Sequence, residues 1–454
     1  MKIYKMILRL VILILFSLKI NAQYDSSKIF TEYIDIVKKI YKSANADSTA
    51  WEQLAFMCDT YGPRLCGSEG NLQSLEFMYQ QMKKDGLENV RKEEIYVPHW
   101  VRGNEYCELL TPRKVRLHML GIGRSINTPP EGITGEVIVV KNYDELEKRK
   151  DEVNGKIVLY NEPYKHYGQA VKYRWSGAVR AAQYGAIASL CRSASPTGMQ
   201  APHTGSMMEY PDTVAKIPHA ALSHEDADMI RRIIYRGQKV IVKLYMEAKT
   251  LPDAKSYNVI GELKGNEKPD EIIALGGHSD CWDVGSGAHD DASGCFATWK
   301  ALKVLKDLGL HPKRTIRAVM WTNEENGLRG GIEYAEKHKD ENHVLMFEFD
   351  SGAFPPGELG VNGSDSVIAK AKSIEKVLRE IGNIRVKKGA WGIDAQQLAK
   401  INNIPLMHIN TDDKGKYFWY HHAATDTPDK IDPKDMNDCI AVIAAMIYIY
   451  ADLP

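Results

Sequence analysis

The chain has no excess of either charge, with 59 lysine plus arginine against 59 aspartate plus glutamate. A nucleic-acid binder ordinarily carries a basic excess, so the balance argues against that partner. Cysteine is sparse, and the seven present are scattered, with none in a CxxC pair. That excludes a zinc ribbon, and the odd count defines no disulfide framework, although Cys58 and Cys66 could bridge in an oxidising compartment. Low-complexity tracts and short repeats are missing, which sets aside disordered and solenoid architectures. The apolar run near the N-terminus, LVILILFSL, has nine residues, well short of the ~20 that a spanning helix needs.

That run follows Lys2, Lys5 and Arg9 and precedes KINA. This is the build of a secretory signal peptide over residues 1–22, cleaved after Ala22. No cysteine follows it to take a lipid. Removing it deletes four basic residues and no acid, so the exported chain carries a formal charge of about −4. The expectation is a secreted protein with no stable membrane anchor, in the periplasm, the extracellular space or the lysosome according to its host. NGS at Asn362 is a glycosylation sequon if the route is eukaryotic.

A chain of 454 residues favours two domains. Residues 27–84 read as helical, interrupted by the turn YGPRLCGSEG, and VRKEEIYVPHW reads as extended. From 105 to 250 the pattern is short strands, such as GEVIVVK, GKIVLYN, GAIASLCR and KVIVKLYME, with one prominent helix over 171–182. After residue 250 the style changes. NVIGELKG, EIIALGGH, TIRAVMWT, HVLMFEFD and IPLMHIN are nearly continuous apolar runs, as expected of strands covered on both faces. Helix candidates lie between them, notably 294–308, and MNDCIAVIAAMIYIYADL closes the chain as a packed helix. Strand–helix alternation predicts a three-layer α/β domain built from 23–104 and 251–454, with a β-rich domain, 105–250, inserted into it.

The stretch GGHSDCWDVGSGAHDDASG, residues 276–294, holds two histidines, four aspartates and five glycines between a strand and a helix. In open α/β sheets functional groups collect beyond the carboxyl ends of strands. Three predicted strands end on such groups: His278 after EIIALGG, then Asn323, Glu324 and Glu325 after TIRAVMWT, and Asp350 after HVLMFEF. His422 follows a fourth strand and a loop. Each has a bland explanation, as a satisfied polar group, a helix-start acid or a turn former. Their coincidence at one sheet edge is what points to chemistry. Histidine nitrogen and carboxylate oxygen are the ligands of catalytic zinc. Two ions sharing a carboxylate need two histidines and three or more carboxylates, which His278, Asp290, Glu325, Asp350 and His422 supply.

HSD, then GAHDDASG, NEEN, EFD and HHAATDT in that order resemble the co-catalytic di-zinc aminopeptidase/carboxypeptidase family. YGPRLCGS and YFWYHH extend the resemblance over nearly the whole chain after residue 22. It implies a three-layer zinc-exopeptidase domain of the phosphorylase/hydrolase-like fold, and a protease-associated domain for the insert. Carried over position by position, it implies that Asp290 bridges two Zn2+, with His278 and Asp350 completing one site and Glu325 and His422 the other. Glu324 would be the general base and Asp280 would orient His278. Asp291 would serve the helix N-terminus, and His421 and Asp394 would lie near the substrate. His289 departs from the family's pattern and could be an outlying polar group or a stray metal contact. Ala423 follows the ligand histidine where a hydroxyl residue is common.

The resemblance therefore implies a secreted metallopeptidase that hydrolyses short peptides, dipeptides above all, with Glu324 taking a proton from a water held between the ions. It leaves room for a homodimer. The alternatives are a glutaminyl-cyclase-like acyltransferase with one zinc, and a receptor-like relative without catalysis; a complete ligand set argues against both.

Overall fold

The computed structural model describes residues 24–454, so the signal peptide expected over residues 1–22 lies outside the described residues. Two eight-stranded sheets organise the chain. The first runs, edge to edge, Glu88–Val101, Lys249–Leu263, Arg314–Trp321, Lys268–His278, His343–Glu348, Leu406–Thr411, Pro356–Asn362 and Arg385–Lys388. Its centre is parallel, from Arg314–Trp321 through Lys268–His278 and His343–Glu348 to Leu406–Thr411.

Alternation along the central strands explains why their sequences are apolar throughout. Ile273, Leu275, Ile316, Ala318 and Met320 face one core; Ala274, Val319 and Trp321 face another. The first core is closed by Ser26–Ala46, Thr49–Tyr61, Glu69–Lys84, Ser293–Asp307, Asp365–Leu378 and Pro433–Asp452. The second is closed by Arg329–His338 and Ala395–Asn402. Helix–sheet–helix layering results, with strands shielded from water on both faces. Among the described residues no helix is long and apolar enough to cross a membrane. The most apolar, Pro433–Asp452, is buried against Ser26–Ala46 and Ser293–Asp307.

Residues 105–246 build the second sheet, whose order is Val115–Leu117, Glu105–Thr111, Ile241–Met246, Ile133–Val140, Ile157–Tyr160, Ala188–Arg192, His219–Leu222 and Met119–Gly121. Lys249 and Thr250 already pair with Val101 and Trp100 in the first sheet, so the crossing back falls just before the boundary expected at 250. Three helices accompany this sheet where the sequence suggested one: Tyr143–Lys148, Tyr167–Ala182 and His224–Tyr235. The last was readable in principle. Ala227, Ile230 and Ile233 recur at helical spacing, and the Ser223 hydroxyl caps the Asp226 amide.

All seven cysteines are free and buried. The Cys58–Cys66 bridge is not formed: Cys58 Sγ faces the Ser286 carbonyl at 3.4 Å, and Cys66 Sγ meets Thr322 Oγ1 at 3.3 Å. Each thiol is spoken for by a different part of the core.

A buried charge cluster under the Arg329–His338 helix gives a pH-dependent contribution to stability. His338 sits between Glu93, at 3.0 Å, and Glu341, at 3.2 Å. Burial works against its charge, but the bonds to Glu341 and Glu93 outweigh it and raise the imidazole above its usual value, while both carboxyls are held down to about 2. A raised histidine stabilises fully below its unfolded pKa of about 6.5, and loses that as pH climbs through the folded value. The lowered carboxyls stabilise above about 4.5 and lose it as pH falls towards about 2. His338→Gln should therefore destabilise most near about pH 5.5 and visibly less near about pH 8.5 in urea unfolding. An equal penalty at both values would show that His338 is not charged in the fold.

Candidate metal centre

Strand register sets the site. Glu348 lies level with Gly276 in the parallel pair, so Asp350 and His278, each two residues further on, emerge at the same height. His278 is level with Trp321, from which Thr322 and Asn323 lead to Glu324 and Glu325. All four side chains leave the carboxyl ends of adjacent strands.

The glycines of the HSD and DDASG segments have a steric reason. A Cβ at Gly277 would stand 2.3 Å from Asp291 Oδ2, and one at Gly294 would stand 1.9 Å from the Phe349 carbonyl. Only glycine lets the loop and the helix Ser293–Asp307 press this closely onto the strands. Asp291 then locks the corner, accepting from His278 N at 3.0 Å and Gly294 N at 2.9 Å.

Asp290 is the centre of the constellation. Its Oδ1 lies 3.3 Å from His278 Nε2, and its Oδ2 lies 3.3 Å from His422 Nε2. His278 Nε2 is also 3.9 Å from Asp350 Oδ1, and His422 Nε2 is 2.9 Å from Glu325 Oε2. Two atoms bound to one zinc at about 2.1 Å with tetrahedral angles are roughly 3.4 Å apart, so this spacing fits shared coordination. The donor set fits as well. Asp290 Oδ2 and Glu325 Oε1 are buried acceptors with no hydrogen-bond partner, a costly state that a cation would relieve.

Spatial grouping alone also allows His421 with Asp290 and His422, or Asp291 with His278 and Asp350. Hydrogen bonding sets Asp291 apart. Both Asp291 oxygens are taken by backbone amides. His421 Nε2 stands 3.8 Å from Asp290, and its ring stacks on His422 with centroids 3.6 Å apart. His421 thus flanks the centre.

The electrostatics are those of an acid-rich pit. Burial first, and then Asp350, Asp280 and Asp290, push Glu324 up to about 8. Burial and Asp290 likewise push Asp350 to about 6, and Glu325 rises for the same reasons with Glu324 adding to them. Burial would raise Asp290 too, but His421, His278 and His422 outweigh it and hold it well below the carboxylate range. Burial pushes His422 down, and its neighbours His421 and Arg174 add to that. Burial would lower His278 too, but Asp290, Glu324 and Asp350 outweigh it and raise it. Such a crowd of carboxyls beside imidazole nitrogens is the environment that divalent cations seek.

Asp280 is placed differently from its expected role. His278 Nδ1 meets the Asp280 backbone carbonyl at 3.0 Å, with the nearer carboxylate oxygen at 3.8 Å. That carboxylate accepts from the amides of Glu324, at 3.1 Å, and Glu325, at 3.3 Å. It therefore anchors the turn carrying both glutamates, while its main chain orients His278. Asp394 is fully buried, with Oδ1 accepting from Gly331 N at 3.1 Å and Oδ2 without a partner. His289 turns away from the centre: its ring lies between Phe354, at 4.3 Å, and Tyr420, at 5.6 Å, and its Nε2 meets the Lys430 carbonyl at 3.2 Å. Burial lowers its pKa to about 4, so it packs as a neutral aromatic, and it belongs to none of the groups close enough to share an ion.

Several supporting residues escaped the sequence reading. Asp426, inside HHAATDT, accepts from His289 N at 2.8 Å and Asp290 N at 3.0 Å, fixing the backbone at Asp290. Arg64 is fully buried and donates to the carbonyls of Ser279, Ser286 and Gly287, which shapes the HSDCWD loop. Tyr417 donates to Asp350 Oδ1 at 3.0 Å. Glu348 holds the Ile393 and Ala395 amides at 2.9 and 2.6 Å, and so the loop around Asp394. An ionisable residue within an apolar strand was the available signal for Glu348. YGPRLCGS and YFWYHH contained Arg64 and Tyr417, but nothing local stated what either would touch.

The second sheet also reaches the centre. Thr204 N donates to the His422 carbonyl at 2.9 Å, Arg174 Nη1 lies 3.1 Å from His422 Nδ1, and Tyr167 stacks on Phe418 at 4.5 Å. His422 itself is in the left-handed region at φ +61°, as is Asn323 at +68°, strain of the kind functional loops retain.

Residues 258–447 match the family model for peptidase family M28. Carboxypeptidase Q of Bos taurus is 44% identical over 93% of this chain and 90% of its own length. The solved structure of a peptidase M28 precursor from Shewanella amazonensis SB2B superposes with a TM-score of 0.89 at 31% identity, covering 93% of this chain and 97% of that one. A zinc aminopeptidase from Bacillus subtilis shares the fold at a TM-score of 0.67 and 18% identity, over 89% of this chain and 97% of that one.

Proposed function

Because the chain belongs to peptidase family M28 and is a metallopeptidase, we propose that it is a secreted exopeptidase that binds two zinc ions and hydrolyses short peptides, dipeptides in particular. The observation that carries this reading is the Asp290 carboxylate, with one oxygen 3.3 Å from His278 and the other 3.3 Å from His422. His278 and Asp350 would hold one ion and Glu325 and His422 the other, with Asp290 shared. Zinc bound there supplies a Lewis acid that lowers the pKa of water toward about 7 and takes up charge developing on the carbonyl oxygen.

The protein's own groups do the rest. Glu324, close to Asp290 and Asp350, accepts the proton of the attacking water and returns it to the leaving amine. Asp280 keeps Glu324 and Glu325 apart in role by holding both of their amides. Tyr417 steadies Asp350, and Asp426 steadies the Asp290 backbone. His421 and Asp394 lie towards the substrate. Residues 105–246 act as a protease-associated insert. Its Tyr167 and Arg174 stand against His421 and His422, and this cover supports a site that admits short peptides only, since pocket walls often come from domain junctions. Secretion rests on the signal-peptide pattern of residues 1–22.

Purified without chelator, the protein should carry close to two zinc per chain, release amino acids from a dipeptide library and leave unfolded casein uncut internally. Rapid internal cleavage of casein would show an open site. Cyclisation of an N-terminal glutamine peptide in place of dipeptide hydrolysis would favour the acyltransferase alternative.

A further inference from the structure

His422 is the one proposed ligand whose position depends on the chain of the second sheet. Two contacts reach it from that side through Thr204, and a third holds Thr204 in place. The Thr204 amide donates to the His422 carbonyl at 2.9 Å, the Thr204 carbonyl stands 3.3 Å from His422 Nδ1, and Arg174 Nη1 donates to the same Thr204 carbonyl at 3.0 Å. Thr204 is itself pinned, its hydroxyl donating to the Gly121 carbonyl at 2.7 Å. Gly205 leaves the space for the guanidinium, because a Cβ there would stand 2.2 Å from Arg174 Cζ. Arg174 comes from the helix Tyr167–Ala182 and is buried.

The chemistry assigns the proton. A ring that gives Nε2 to a metal carries its hydrogen on Nδ1 and needs an acceptor there. Only Thr204 O can accept; the guanidinium has no lone pair to offer. Arg174, 3.1 Å from Nδ1, therefore serves the bound form by fixing the carbonyl. Were it to donate into Nδ1 instead, the hydrogen would move to Nε2 and close that nitrogen to a metal.

We propose that Arg174 and Thr204 are positioning residues for His422, so that the second sheet's chain governs the ion held by Glu325 and His422 and leaves the one held by His278 and Asp350 alone. This rests on the two-zinc reading above. It turns the segment from a cover into a structural part of one half of the centre.

The sign of one measurement tests it. Arg174→Met removes a positive charge next to a cation site. If charge were all that mattered, zinc would bind more tightly; if Arg174 positions His422, one zinc should bind about 10–100-fold more weakly. Chelator-stripped protein is titrated with zinc against a chromophoric chelator for the parent, Arg174→Met and Arg174→Lys. The expected result is one weakened and one unchanged zinc in the Met variant, with the Lys variant, which keeps a donor, partly restored. The unchanged zinc reports an intact first sheet. Unchanged or tightened binding of both ions overturns the proposal, and so does equal weakening of both together with a lower melting temperature, which would mark Arg174 as merely structural. A parent that takes up a single zinc refutes the two-zinc reading by itself; His422→Ala then shows whether His422 holds that zinc, and positioning fails if it does not, or if it does and the zinc stays as tight in Arg174→Met.

Discussion

Glu324→Gln should lower kcat by about two to four orders of magnitude, the usual worth of a general base, while the zinc content stays that of the parent. The neighbouring glutamate should behave otherwise. Glu325 Oε2 lies 2.9 Å from His422 Nε2, and its other oxygen is buried without a partner, as befits a metal ligand. Glu324 belongs to none of the groups close enough to share an ion, yet it is raised to about 8 by burial and by Asp350, Asp280 and Asp290. An ionised carboxylate can take the proton of a water, and the amide of glutamine cannot. Backbone geometry survives the change, because Asp280 holds the main-chain amide of residue 324 and not its side chain. Glu325→Gln should therefore lose metal and activity together. A Glu324→Gln enzyme with near-parental kcat would assign the base to another group.

Asp290→Ala should be the most damaging ligand change, reducing bound zinc below one per chain and hydrolysis to background in elemental analysis and dipeptide assay. In the proposed centre every other ligand would serve one ion, whereas the two Asp290 oxygens face His278 and His422 separately. Its removal leaves two sites with two ligands each, fewer than a stable zinc site uses. The loop itself should persist, since Asp426 grips the amides of residues 289 and 290, which alanine retains. Asp290→Asn keeps the shape and loses the charge, so it should hold zinc more weakly than the parent but better than Ala. Two zinc ions retained in Asp290→Ala would remove the shared carboxylate from the centre.

Much of the first sheet was legible because burial on both faces forces continuous apolar runs, and EIIALGGH, TIRAVMWT and HVLMFEFD each stop where the chain leaves the core. Ligand-type residues at those stops could be read without any structure, since strand ends are where backbone turns toward solvent and polar groups become tolerable. The helix His224–Tyr235 was passed over although its apolar spacing was present, because HEDADMIRRIIY is outwardly charged and its partners lie far off in sequence.

Local sequence by itself determined the α/β layering and the strand-end placement of His278, Glu324, Glu325 and Asp350, because periodicity and burial act over a few residues. The tertiary structure alone decided that His289 packs between Phe354 and Tyr420, that Asp280 anchors the glutamate turn, and that Cys58 and Cys66 stay apart. It also decided that Arg64 shapes a loop more than 200 residues away and that Arg174 and Thr204 meet His422. Those contacts arise where two sheets and several loops close on one point. A hydrogen bond depends on direction and on tenths of an ångström, neither of which residue spacing along a chain records.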